Sequence, residues 1–148
     1  MDTTITGEEL AEFVRRAEAA ADAYVQGDMD GYLDRVHHAD GFTLLPPYGG
    51  PPGRHRGRAA ELRSWGSPFR DGEARLEHVE AHAWGDTLVL AMIERQHGRV
   101  GDLPDQNLSL RVTHVYRRDG TDWRLVHRHA DPLVQTMELP ELGALMRR

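Results

Sequence analysis

Three imidazoles carry the most suggestive chemistry in this sequence: His114, His127 and His129, on two segments of strand-like alternation. If the segments pair as a hairpin whose loop keeps an even count, all three rings project from one face. Imidazoles on an apolar wall serve as general acid or base, because burial and neighbouring groups move them through the working pH range. The run His127-Arg128-His129-Ala130-Asp131 also has an H-x-H-x-D spacing, which offers two nitrogens and a carboxylate to a metal. Pro132 stands where metal motifs of that kind continue with a further His. A second same-face trio, His78, Glu80 and His82, lies in a charged strand and reads as a solvated face.

Composition removes much of the remaining catalytic repertoire. The 148 residues contain no Cys, all eighteen cations are Arg, and Ser occurs only at 64, 67 and 109, outside any G-x-S-x-G. Thiolate chemistry, Schiff-base formation, a P-loop lysine and a nucleophile elbow are therefore excluded. No cofactor is implied. The formal net charge is −6, and the cluster Arg54, His55, Arg56, Arg58, Arg63, Arg70 and Arg75 lacks interleaved aromatics. Nucleic acid is not an expected partner. No apolar run approaches a membrane span and the first residues form no secretory leader, so a cytoplasmic protein is expected.

The elements that must position these groups divide into two halves. Thr6 to Gly27 repeats apolar residues at helical spacing, opens on a Thr6/Glu9 capping box and closes on a glycine. Asp28 caps a second helix to about His37, with Asp40 at its end as a possible carboxylate partner for the histidines. Phe42 to Leu45 reads as a short strand, the Pro46–Gly53 run as a rigid loop, and 58–65 as a third helix. Strands are then expected at 75–83, 86–95, 107–118 and 122–130. Helices first and a meander last give an α+β fold, helices packed on one face of an antiparallel sheet. The reading is of one domain over 1–148 with a core at about 7–134 and a mildly apolar tail able to dock on a neighbour. Tyr24, Tyr48, Trp65, Tyr116 and Trp123 come from both halves and are the expected walls of a small-molecule pocket.

The first helix, the Gly27-Asp28 break, the Pro-Gly loop and the hairpin Leu110–Arg118 with Trp123–His129 resemble the NTF2-like superfamily, and within it the SnoaL-like proteins. That resemblance implies a cone-shaped α+β fold, association as a homodimer through sheet faces, and a superfamily of isomerases, cyclases, dehydratases, hydrolases and inactive members. The loop Pro47–Pro52 is similar to the one following the proton-abstracting Asp of ketosteroid isomerases, yet Pro46 occupies that place. Ala20 and Val112 fall where the two oxyanion donors would stand. That isomerase mechanism is thus absent. The expectation is a SnoaL-like protein that encloses a small apolar organic molecule, with His127 or His129 as proton acceptor and His114 as neighbour or donor. The alternatives are a non-catalytic binding or assembly module and a His127/His129/Asp131 metal enzyme.

Overall fold

A computed structural model describes residues 5–55 and 58–148; Arg56 of the basic cluster lies outside them. Helix α1 spans Gly7–Gln26, α2 Met29–Arg35 and α3 Arg58–Trp65. The strands are β1 (His37–Leu45), β2 (Gly53–His55), β3 (Phe69–Trp84), β4 (Thr87–Val100), β5 (Gln106–Asn107), β6 (Leu110–Asp119) and β7 (Asp122–Pro132). A short helix, α4 (Leu139–Met146), ends the chain.

Local chemistry sets the helix boundaries. Thr6 Oγ1 accepts from the Glu9 amide at 3.1 Å, and Glu9 Oε1 accepts from the Thr6 amide at 3.3 Å. This reciprocal box satisfies amides that have no partner within the helix. Gly27 closes α1 at φ 87°, and an added Cβ there would meet the Phe69 carbonyl oxygen at 2.8 Å. Only glycine fits that position. Asp28 then caps α2 by accepting from the Gly31 amide at 2.9 Å.

The sheet runs β2-β1-β7-β6-β4-β3, with β5 added beside β4. It is mixed rather than wholly antiparallel, because β1 pairs in parallel with β7. The α+β cone fold is realised, with α1 lying across β3 and β4. Leu88, Leu90 and Met92 of β4, Val112 and Tyr116 of β6, and Trp123, Leu125 and Ala130 of β7 form the core with Phe42 and Ala20. Strand β3 is a sheet edge, and α1 covers part of it: Glu18 Oε2 and Asp22 Oδ1 accept the Leu76 and Ala74 amides, each at 2.9 Å. Amides that would otherwise invite another strand are thereby occupied.

One irregularity decides which side chains face inward. In the β6–β7 hairpin Tyr116 pairs with Leu125, but Val115 pairs with His127, so β7 carries one extra residue, Val126. A bulge of this kind reverses the alternation beyond it. Trp123 and Leu125 point inward before the bulge, and Ala130, beyond it, is again fully buried.

Candidate functional site

The expected trio of imidazoles is not assembled on one face. His114 pairs across the hairpin with Arg128, while His127 and His129 pair with Val115 and Thr113 in the opposite phase. The Val126 bulge is the physical reason. His127 Nδ1 is hydrogen-bonded to Thr43 Oγ1 at 2.6 Å, and His129 Nε2 lies 3.3 Å from Asp131 Oδ1 with the ring about half exposed. Asp40 is exposed within β1, which begins where the second helix was expected to continue. It does not meet His114.

Inside the cone a different set converges. Arg128 reaches Glu94 with Nη1–Oε1 at 2.6 Å and Nη2–Oε2 at 3.0 Å, and Nη1 also lies 2.8 Å from His114 Nε2. His114 Nδ1 is 2.7 Å from Tyr116 Oη. A guanidinium has donors only, so Nε2 of His114 must accept, and its proton sits on Nδ1 and is donated to Tyr116. Burial, seconded by the Arg128 charge, holds His114 well below the ordinary histidine value. The imidazole is neutral, as its two bonds demand. Tyr116 accepts from His114 and keeps its own hydroxyl proton to donate; burial pushes its phenol well above the ordinary range.

Helices α1 and α2 bring two more phenols over this chain. Tyr24 and Tyr32 meet edge to face with ring centroids 5.1 Å apart, and Tyr32 Oη lies 3.4 Å from His38 Nε2. Burial pushes Tyr32 up to about 12 and raises Tyr24, in each case against the lowering influence of Arg128. Phe13 packs edge-on against Tyr116 at 4.7 Å, and Phe42 against His38 at 4.8 Å. The interior therefore presents neutral phenols around one fully paired ion pair, a setting rich in donors and poor in negative charge.

Of the five expected wall residues, Tyr24 and Tyr116 belong to this cluster. Trp123 is buried beneath the Arg118 guanidinium, 4.4 Å from its ring. Tyr48 and Trp65 face solvent, at 88% and 71% exposure. Glu94, Arg128, Tyr32 and His38 were missed. Glu94 had a signal, as the single acid at an inward position after Leu88, Leu90 and Met92. Arg128 was masked by the phase error, and His38 by assignment of its neighbourhood to a helix.

Two clefts open around α1. One of about 350 Å³ lies against β3 and is lined by Glu18, Asp22 and Glu73; one of about 530 Å³ lies between the start of α1 and the β6–β7 turn, with Ile5, Phe13 and Trp123. Neither is lined by His114 or Arg128, which the helices pack into the interior. No cluster of three metal-ligating groups occurs among the described residues. His127, His129 and Asp131 do share the outer face, without the convergence that a metal requires.

Comparison with known proteins agrees with this architecture. Residues 15–135 match the SnoaL-like domain family, and the chain belongs to it. Solved structures show the same fold at low identity. An NTF2-like superfamily protein from Salmonella enterica serovar Typhimurium aligns with TM-score 0.68 and 19% identity, over 88% of this chain and 92% of its own. A provisionally assigned dehydratase of the NTF2-like family from Streptomyces avermitilis aligns with TM-score 0.66 and 22% identity, over 87% and 99%. The association domain of C. elegans CaMKII aligns with TM-score 0.62 and 16% identity, over 84% and 95%. No curated protein sequence matches. No helix among the described residues is long and apolar enough to cross a membrane.

Proposed function

We propose that this protein encloses a small, largely apolar organic molecule between its helices and the inner face of the sheet, and performs cofactor-free acid/base chemistry on a carbonyl-bearing intermediate. The observation that carries this reading is the buried Glu94–Arg128–His114–Tyr116 chain beneath Tyr24 and Tyr32. Phenols whose ionisation is suppressed by burial are hydrogen-bond donors at neutral pH, and donors fixed in a dry site stabilise charge developing on a substrate oxygen. Tyr116 is the donor, with its acceptor lone pair already engaged by His114. Tyr24 and Tyr32 supply further donors. His38, paired to Tyr32, is the imidazole placed to take a proton. Cyclisation, isomerisation or dehydration all use this pattern, and the last fits the Streptomyces avermitilis relative's provisional assignment.

The reading is tested by mass spectrometry of compounds extracted from purified protein, followed by binding of aromatic and polycyclic ketones. Tyr116→Phe is expected to weaken binding by about tenfold, the loss of one hydrogen bond in a desolvated site. His129→Ala is expected to leave it unchanged. Equal affinities for Tyr116→Phe and wild type would reject the reading.

A second reading, an assembly module, is favoured by the outer sheet face, where Val89, Ala91 and Ile93 of β4 adjoin Thr113 and Val115 of β6 with no helix packed on them among the described residues. The structural relative from C. elegans is itself an association domain. We propose a homodimer through this face, compatible with a ligand site on the other side of the same sheet.

A further inference from the structure

Among the described arginines of the basic cluster, Arg54, Arg63, Arg70 and Arg75 are exposed, and Arg58 is not. Arg58 opens α3 one helical turn before Leu62, so the two side chains share a face of the helix. Leu62 is buried with Met29 and Leu33, and Tyr24 and Tyr32 pack against that group. Arg58 is drawn inward beside them: its side chain is 13% exposed, and its guanidinium carbon lies 5.9 Å from the centre of the Phe42 ring. Phe42 in turn packs on His38, the partner of Tyr32. Burial raises both phenols, and the Arg58 charge, like that of Arg128, acts against it. Arg58 therefore stands on the Tyr24 and Tyr32 side of the interior, close enough to the surface to be reached from solvent.

Its difference from Arg128 is the lack of an acceptor. Arg128 holds Glu94 through two hydrogen bonds. The ion-pair contact of Arg58, to Glu61 on the same helix, has Nη1–Oε1 at 3.8 Å, beyond hydrogen-bond reach. Arg58 Nε is buried and has no hydrogen-bond partner among the described residues. A buried donor on a permanent charge is costly to leave unpaired. With Nη1 turned to Glu61, the remaining edge of the fork is the Nε–Nη2 side, whose parallel N–H bonds match the two oxygens of a carboxylate.

We propose that Arg58 is the residue by which the interior site selects organic acids: the enclosed molecule carries a carboxylate, received by Arg58, at one end of a largely apolar body. The inference rests on the ligand site proposed above and narrows its substrate class to carbonyl compounds that are also carboxylic acids. A carboxylate fixed at Arg58 gives the molecule one orientation, its apolar body lying along Phe42 and the tyrosine rings.

The test compares naphthoate with acetylnaphthalene, which share an aromatic body and differ in charge. Both are titrated by calorimetry into wild type, Arg58→Met and Arg58→Lys. Wild type is expected to hold naphthoate at least about tenfold more tightly, as a charged hydrogen bond in a desolvated place allows. Arg58→Met is expected to lose that preference with its acetylnaphthalene affinity unchanged. Arg58→Lys keeps the charge without the fork and is expected to retain part of the preference; it also decides the matter should the Met variant fail to fold. Equal affinities of wild type for the two compounds would overturn the inference, leaving water as the partner of Nε, and so would a naphthoate preference undiminished in both variants. In either case acetylnaphthalene binding that Tyr116→Phe weakens would leave the ligand site standing. Failure of wild type to bind either compound would overturn both.

Discussion

His114 and Arg128 face each other in register on neighbouring strands, and the 2.8 Å contact between them leaves the imidazole no place for a second proton. The unfolded chain has no such restriction, and its histidine titrates near 6.5. Below that value the unfolded state binds a proton that the folded state refuses, so stability falls with pH. His97 acts in the opposite sense: Asp105 raises its value, and its contribution is present at low pH and lost as pH rises, but it is exposed and screened. The urea midpoint is therefore expected to drop between pH 7.5 and 5, and His114→Gln is expected to flatten that drop. Parallel pH profiles for the two proteins would refute the assignment.

Removing one partner of the buried Glu94–Arg128 pair strands the other charge. Glu94→Leu is expected to cost about 3–5 kcal/mol by denaturant titration. Adding Arg128→Met should restore most of it, because the two apolar side chains no longer leave a charge in the core. A double variant as unstable as the single one would show that the loss comes from packing instead.

The two faces of β7 should respond differently to truncation. His129→Ala is expected to change stability by less than about 0.5 kcal/mol, as for other surface positions. His127→Ala should cost about 1 kcal/mol through its bond to Thr43. His114→Ala should exceed both, leaving Arg128 and Tyr116 short of a partner. Deletion of Val126 is expected to preserve the fold, since it removes the one unpaired residue and leaves His127 opposite Val115 and Arg128 opposite His114; an unfolded deletion variant by circular dichroism would refute the bulge.

Glu18 and Asp22 guard the free edge of β3. Glu18→Ala and Asp22→Ala should each cost about 1 kcal/mol, and the double variant should aggregate on heating at concentrations where wild type stays clear. Turbidity against temperature reads the result.

What was legible in the sequence was what local chemistry settles. The Thr6/Glu9 box, the stop at Gly27 and the cap at Asp28 each depend on residues within one turn, and each stands as expected. The start of β1 was not legible, because His37 and His38 gain their strand partners, Arg124 and Leu125, from more than eighty residues away. The inner site was lost for a related reason. Val126 is as ordinary a strand residue as Val115, and nothing in its type announces that it lacks a partner. One unannounced residue exchanged the histidines with Arg128. Glu94 is legible from the alternation of β4, as the acid that follows Leu88, Leu90 and Met92 at an inward position.

The bulge at Val126 also divides the hairpin into two independently phased stretches. Between the turn and Leu125 the strand answers to one count, and from His127 onward to another, so a length change in either stretch re-aims only the side chains beyond it. Interior chemistry and surface pairing can thus diverge among relatives by slippage at a single hinge point in β7, without any change of residue types along the strand.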